Sequence, residues 1–168
     1  GEPISFKWGK CKLATVSFGH GITTTPLQLA KGYAIIANGG FEIKPSLIKK
    51  TLKNNQNKKR LIKEGVSEQI NEILGKIVTT KEGTAGFANI KGYEVGGKTG
   101  TAEKAIIGGY TRKAKVNTFA SIFPTTNPKY VMIVLLDEPK TSEDYIYKYK
   151  NKSGSYKGTP FNTAGWTS

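Results

Sequence analysis

The chain has 168 residues, 37% of them hydrophobic, and a formal net charge of +14 from 26 basic and 12 acidic residues. The length predicts one domain, and the apolar fraction is low for a chain that builds a full core of its own. Only Arg60 and Arg112 are arginines, which argues against specific nucleic-acid recognition, because arginine is the usual reader of phosphates and bases.

A few composition features set further limits. Cys11 is the only cysteine, which excludes an internal disulfide and a cysteine-based metal site. His20 is the only histidine, and we interpret it as a packing or surface residue, since no carboxylate or second histidine is near it in sequence. There is no signal peptide and no run of eighteen apolar residues. The chain is therefore expected to be soluble, or to be part of a protein that is anchored elsewhere.

Residues 1–21 are predicted to be irregular, and the first clear element is a helix from Pro26 to about Asn38. Thr25 suits the N-cap, Pro26 the first helical position, and Gln28 completes a capping box. Gly39-Gly40 ends the helix. Its interior has few polar side chains, so we expect it to be buried on most sides.

The next segment, 44–63, is a basic connection with eight basic residues and no acidic one. We interpret it as a solvated surface. It contains Ser46-Leu47-Ile48-Lys49, which formally matches the Ser-x-x-Lys pattern of a nucleophilic serine. Such a serine should open a helix with an apolar stripe, whereas Ser46 follows Pro45 and enters a polar loop, so the match is interpreted as a coincidence.

A second helix is predicted to begin with Ser67 as its cap and to end near Thr80. Its apolar residues recur at i, i+3, i+4, i+7 and i+8, which predicts one core-facing stripe. The members of that stripe are Ile70, Ile73, Leu74, Ile77 and Val78.

Three strands are predicted after this helix, over 93–105, 116–123 and 129–136. The first two are joined by a loop over 106–115, and a proline-bounded turn over 124–128 makes the last two antiparallel neighbours. The third strand is continuously apolar and is expected to be central in its sheet. Tyrosines then alternate along 145–150 as on a strand. They could stack on sugar rings, but a packed or exposed flank is favoured.

The candidate site is Lys98-Thr99-Gly100-Thr101, preceded by Gly96-Gly97. Lys98 could supply a cation for an anionic substrate, Thr99 and Thr101 could offer hydroxyls to a carboxylate, and the Thr101 N–H could stabilise an oxyanion. Gly100 has no side chain, so a substrate backbone could lie against the strand. Strict alternation puts Lys98 and Gly100 on one face and the threonines on the other. Both pairs reach one groove only on a twisted strand at a sheet edge.

These pieces, in this order, resemble the C-terminal part of a class B penicillin-binding protein transpeptidase domain, of the kind that cross-links septal peptidoglycan. The segments that carry the resemblance are Phe18-Gly19-His20-Gly21, Thr25-Pro26-Leu27-Gln28-Leu29-Ala30, Ala37-Asn38-Gly39-Gly40, Lys44-Pro45, Gly83-Thr84-Ala85, 96–104, Phe119-Ala120-Ser121, Tyr130-Val131, Leu136-Asp137-Glu138-Pro139 and Ala164-Gly165-Trp166. The resemblance implies an α+β fold, the C-terminal portion of the penicillin-recognising serine transpeptidase or β-lactamase-like fold. In that fold the Lys-Thr-Gly strand is the edge of a five-stranded antiparallel sheet.

The resemblance also implies a reaction and partners. A serine attacks the D-Ala-D-Ala end of a stem peptide, a second stem peptide takes the acyl group, and penicillins mimic the donor. Lys98, Thr99, Gly100 and Thr101 would bind the donor or the β-lactam, with the Thr101 amide in the oxyanion hole. No metal or cofactor is implied. Division proteins would be partners of the parent protein, at the periplasmic face of the inner membrane.

Two features depart from the family pattern. No credible Ser-x-x-Lys and no Ser-x-Asn occur, so residues 1–168 are expected to be a partial domain whose nucleophile-bearing N-terminal portion lies outside this chain. The region 145–162 also looks longer than usual.

The fragment alone is predicted to be inactive and prone to self-association. The alternative hypothesis is a non-enzymatic cationic module that binds an anionic polymer or membrane surface.

Overall fold

The computed structural model describes residues 12–17, 19, 22–49, 59–107, 109–140, 144, 146–148, 155–157 and 164. The helices are α1 (Lys12–Ser17), α2 (Pro26–Ala37) and α3 (Glu64–Thr79), followed by a short 3-10 helix (Gly86–Ala88). The strands are β1 (Gly96–Ile106), β2 (Gly109–Phe123), β3 (Tyr130–Asp137), β4 (Ile146–Lys148) and β5 (Ser155–Lys157). Helices packed on an antiparallel sheet confirm the α+β class. Within the described ranges, no helix has the length and apolar character needed to cross a bilayer.

The N-terminal segment contains a helix that the sequence analysis did not predict. Helix α1 ends where the Gly19 N–H donates to the Val16 carbonyl oxygen over 2.9 Å, with Gly19 at φ +89°. A positive φ costs glycine little, so Gly19 suits the turn that follows the helix. Cys11 and His20 lie outside the described residues.

The capping box predicted for α2 is present in full. The Thr25 N–H donates to Gln28 Oε1 over 2.8 Å, and the Gln28 N–H donates to Thr25 Oγ1 over 3.2 Å. Pro26 is the first helical residue, and the chain leaves the helix through Gly39 and Gly40, both at positive φ. Both ends of α2 are therefore set by local chemistry.

The prediction that α2 is buried on most sides is wrong. Ile35 is its one buried residue, and Leu27 is 62% exposed. Helix α2 packs against β2, β3 and α3, and among the described residues these contacts leave much of its surface open. Apolar composition predicted a helix with many buried faces, but burial depends on how many neighbours surround it.

The predicted start of the second helix is also wrong. Helix α3 begins at Glu64 with Lys63 as its N-cap, and no side chain caps that end. Ser67 lies within the helix, is 1% exposed, and its hydroxyl donates to the Ile36 carbonyl oxygen of α2. A carbonyl oxygen near the end of a helix needs a hydrogen-bond donor, and a serine on a neighbouring helix can supply one. Ser67 therefore joins α3 to α2 and does not cap α3.

The apolar stripe of α3 is largely confirmed. Leu74 and Val78 are buried, Ile70 and Ile77 are half-buried, and Ile73 is 55% exposed. The core that this stripe enters contains Val78, Ala85 and Phe119, with Ile77, Ala88, Val95 and Val134 packed against it. Helix α3 thereby covers β1.

The sheet has the order β1-β2-β3, with both pairs antiparallel. Among the described residues the prediction that the third strand is central is therefore wrong, because β2 takes that place and contains the buried residues Phe119, Ala120, Ser121 and Ile122. The predicted loop over 106–115 is wrong for most of its length, since β2 begins at Gly109 and pairs with β1 beyond a bulge. An apolar run indicates a strand with buried contacts but does not give its position in the sheet.

Residues 146–148 of the tyrosine-rich region form a strand, as predicted, while 145, 149 and 150 lie outside the described residues. Strand β4 pairs antiparallel with β5, with Tyr147 opposite Tyr156, and these two strands make a separate sheet.

An ionic cluster joins the far end of β1 to the end of β3. The register shifts between Glu103 and Lys104 of β1, where β2 has extra residues between Thr111 and Lys115. The Lys104 ammonium lies 2.7 Å from Asp137 Oδ1 and 2.7 Å from Glu138 Oε1. The hydrogen bonds that the ammonium donates to Asp137 and then to Glu138 raise the pKa of Lys104 above its ordinary value of 10.5. Lys104 thus links the two outer strands across β2.

We predict that Lys104→Met lowers the thermal stability of the chain at neutral pH. A raised pKa means that folding favours the charged amine, so this stabilisation is present below pH 10.5 and is lost as the pH rises through the raised pKa. The measurement is the difference in unfolding temperature between wild type and variant, followed to alkaline pH. Lys129→Met is the control, since Lys129 makes no ion pair within the described part of the chain. A difference that persists unchanged at high pH would contradict the ionic interpretation.

We also predict that the chain self-associates. Among the described residues no strand pairs with the outer edge of β3, and Tyr130, Met132 and Leu135 of this strand are 61%, 44% and 46% exposed. Open edges with apolar side chains favour pairing with another chain. Light scattering at high concentration should show oligomers that Leu135→Lys reduces. A monodisperse wild-type monomer would refute this prediction.

Candidate functional site

The Lys-Thr-Gly segment lies on an edge strand, as predicted. In β1, Lys98 is opposite Ala120, Thr99 opposite Phe119 and Gly100 opposite Thr118, all on β2. No strand among the described residues pairs with the other side of β1. The backbone groups on that side can therefore pair with an extended ligand.

Two glycines bring the start of β1 against the core. A Cβ atom at Gly97 would lie 2.6 Å from the Phe119 ring, and one at Gly96 would lie 2.5 Å from Thr125 Cγ2 and 3.0 Å from the Gly75 nitrogen of α3. Any side chain at either position would force the strand away from α3 and β2. In the sequence these glycines are only the context of the motif, whereas in the structure they set the depth at which the strand sits.

Gly100 has the opposite surroundings. It is exposed, and a Cβ atom there would meet nothing closer than 3.9 Å, the distance to the Thr118 carbonyl oxygen. The space above it is open. This fits the expectation that an extended substrate could lie against the strand at this point.

Lys98 projects to the exposed side of the strand. Its ammonium donates to the carbonyl oxygen of Thr99 over 2.6 Å, which uses one of three available protons. The two others can bind an anion. The backbone contact holds the charge close to the strand, where a ligand that pairs with the edge of β1 would lie.

The Thr99 side chain lies on the face that carries Phe119, as alternation requires. It is half-buried, and its hydroxyl oxygen is 2.9 Å from Thr84 Oγ1. Thr84 follows α3 in the segment Gly83-Thr84-Ala85. That segment is part of the family resemblance, but no role was predicted for it from the sequence. In the sequence, only the neighbouring Gly83 could have drawn attention to Thr84. The contact itself could not be predicted, because Thr84 and Thr99 are far apart in sequence.

The Thr101 hydroxyl already has one partner. Its oxygen accepts a hydrogen bond from the Ala164 N–H over 3.0 Å, and Ala164 is fully buried. The sequence analysis placed this hydroxyl at the substrate carboxylate. Its proton is still available for that purpose, because a hydroxyl can accept and donate at once.

Ser46 is in an irregular stretch, as the sequence analysis expected. Its hydroxyl donates to the Ile48 carbonyl oxygen over 2.9 Å, and the Ile48 N–H lies 3.2 Å from the same hydroxyl oxygen. Lys49 is exposed and outside any helix. The arrangement is a local serine turn and lacks the helix-opening geometry of a nucleophilic serine.

Comparison with known proteins identifies similar sequences and folds. A family model described as the penicillin binding protein transpeptidase domain matches residues 2–161. The probable peptidoglycan D,D-transpeptidase FtsI of Caulobacter vibrioides is 34% identical over an alignment of 168 residues. That alignment covers 95% of this chain and 26% of that protein. The chain thus spans about a quarter of the length of that relative.

Solved structures show the same fold. The transpeptidase domain of Burkholderia pseudomallei penicillin-binding protein 3 matches with a TM-score of 0.72 and 32% identity, over 79% of this chain and 40% of that chain. Penicillin-binding protein 3 of Mycobacterium tuberculosis, complexed with aztreonam, matches with a TM-score of 0.70 and 29% identity, over 79% of this chain and 33% of that chain.

We predict that alanine destabilises the fold at one glycine of β1 and has little effect at another. Gly97→Ala should destabilise the fold by about 1–3 kcal/mol, because the added methyl group would overlap the Phe119 ring and overpack the core. Gly100→Ala, the matched control on the same strand, should change stability by no more than ~0.5 kcal/mol. Urea unfolding measures both. Equal losses at the two positions would show that the close approach at Gly97 is not a constraint.

Proposed function

This chain belongs to the penicillin-binding protein transpeptidase domain family, and we propose that it is part of a peptidoglycan D,D-transpeptidase that cross-links stem peptides in septal cell-wall synthesis. The single observation that supports this most is the Lys-Thr-Gly segment on an open sheet edge, with Gly100 uncovered. An extended peptide that ends in a carboxylate fits such an edge.

In the proposed reaction, a serine outside this chain attacks the carbonyl carbon of the penultimate D-alanine and releases the terminal D-alanine. An amine of a second stem peptide then displaces the serine oxygen and forms the cross-link. The residues of this chain bind and orient the donor. Lys98 attracts its carboxylate, Thr99 and Thr101 donate hydroxyl protons to it, and the Thr101 N–H stabilises the oxyanion.

The proposal extends to ligands and location. β-Lactams carry a carboxylate beside a reactive carbonyl, so they should occupy the same edge of β1. A solved relative was crystallised with aztreonam, which supports this assignment. We place the parent protein at the periplasmic face of the inner membrane, where its peptidoglycan substrate is, with division proteins as partners.

The test is covalent labelling with a fluorescent penicillin. The full-length protein should be labelled, and the 168-residue chain alone should not, because the nucleophile is supplied by another part of the protein. In the full-length protein, Lys98→Met should slow labelling by roughly tenfold to a hundredfold, since a hydrogen bond to a charged group is worth about 1.5–3 kcal/mol.

Two comparisons make this test specific. Lys129→Met, which removes an exposed lysine outside the site, should label at the wild-type rate. Stable labelling of the isolated chain that disappears with Ser46→Ala would overturn both the assignment of the nucleophile and the interpretation of Ser46.

A further inference from the structure

Thr84 is held rigidly beside the site by its two neighbours. A Cβ atom at Gly83 would lie 1.9 Å from the Ile77 carbonyl oxygen, so only glycine fits the position. Ala85 is 3% exposed within the core, and its N–H donates to the same Ile77 oxygen over 3.3 Å. The backbone on both sides of Thr84 is thus tied to the last turns of α3. The Thr84 side chain is exposed.

The rigid placement brings two hydroxyl groups together. Thr84 Oγ1 and Thr99 Oγ1 are 2.9 Å apart, and either of them can be the donor. Each threonine hydroxyl has one proton to give and can accept others. The direction of this hydrogen bond therefore decides whether the Thr99 proton is used within the pair or is available to a ligand.

We propose that Thr84 is a positioning residue of the carboxylate-binding site, which donates its proton to Thr99 Oγ1 and so directs the Thr99 proton toward the carboxylate of the bound ligand. The inference rests on the proposed function, in which Thr99 receives that carboxylate. An anion beside Thr99 selects this direction, because it accepts a proton and cannot give one. A donor chain of two hydroxyls also strengthens the outer bond, since each hydrogen bond polarises the next.

The proposal gives Thr84 a role that differs from structural support. Thr84 carries no charge, and its effect reaches the ligand through a single proton on Thr99. Its contribution should therefore appear with ligands that have a carboxylate and vanish with ligands that do not. A residue that merely supported the loop after α3 would affect both kinds of ligand equally.

The experiment uses the full-length protein and two β-lactams, a penicillin and its uncharged methyl ester. Thr84→Val keeps the shape of the side chain and removes the hydroxyl. We expect the second-order acylation rate with the penicillin to fall about fivefold to tenfold, as for the loss of one hydrogen bond, and the rate with the ester to stay within twofold of wild type. The ratio of the two rates is independent of the fraction of protein that is folded.

Thr79→Val is the matched control. Its hydroxyl donates to the Gly75 carbonyl oxygen within α3 over 3.0 Å, so the same substitution also removes one hydrogen bond but lies outside the site. Both rates should match wild type. The double variant Thr84→Val/Thr99→Val should acylate no more slowly than Thr99→Val, since both hydroxyls act through one proton.

The outcomes separate the two proposals. Equal loss with penicillin and ester, no loss with either, or additive loss in the double variant would overturn the role of Thr84 and leave the proposed function standing. A wild-type full-length protein that does not react with penicillin would overturn the proposed function itself.

Discussion

The close approach of β1 to α3 and Phe119 determines the rest of this structure. Gly96 and Gly97 leave no room for a side chain against the core, so the strand lies deep at its start and emerges at Lys98. This steric constraint outweighs an exposed ion pair, because a methyl group forced into a packed core costs about 1–3 kcal/mol, whereas an exposed ion pair typically contributes about 1 kcal/mol or less. Packing thus sets the position of the Lys-Thr-Gly segment, and the charge of Lys98 does not determine where the strand lies.

The two ends of β1 are held by different means. Packing holds the start, while beyond the bulge the Lys104 ammonium reaches Asp137 and Glu138 near the end of β3. Between these two ends, few contacts cover the outer side of the Lys-Thr-Gly segment. Gly100 is open and the edge of β1 is unpaired among the described residues. Such an arrangement suits the binding proposed above, in which a peptide lies along the edge of a strand that keeps its geometry.

Local chemistry made parts of this fold predictable. The capping box of Thr25 and Gln28 and the proline-bounded turn between β2 and β3 depend on residues close in sequence, and both are present. Ser67 was misassigned because its hydroxyl bonds to Ile36, a contact between helices that no local pattern encodes. The central position expected for the third strand was also wrong, since β3 is apolar but lies at an edge of the sheet in the described part of the chain. In the site, the edge placement of Lys98 and Thr99 was predicted, but the pairing of Thr99 with Thr84 and of Thr101 with Ala164 depends on tertiary contacts.

The bond from the Ala164 N–H to Thr101 Oγ1 spans 63 positions of the chain. Closing so long a loop has an entropic cost that must be met by contacts formed beforehand. The antiparallel hairpins of the sheet are local by comparison and can form early in folding. We therefore expect the hydroxyl of Thr101 to gain the Ala164 N–H as its partner after the sheet that presents it has formed.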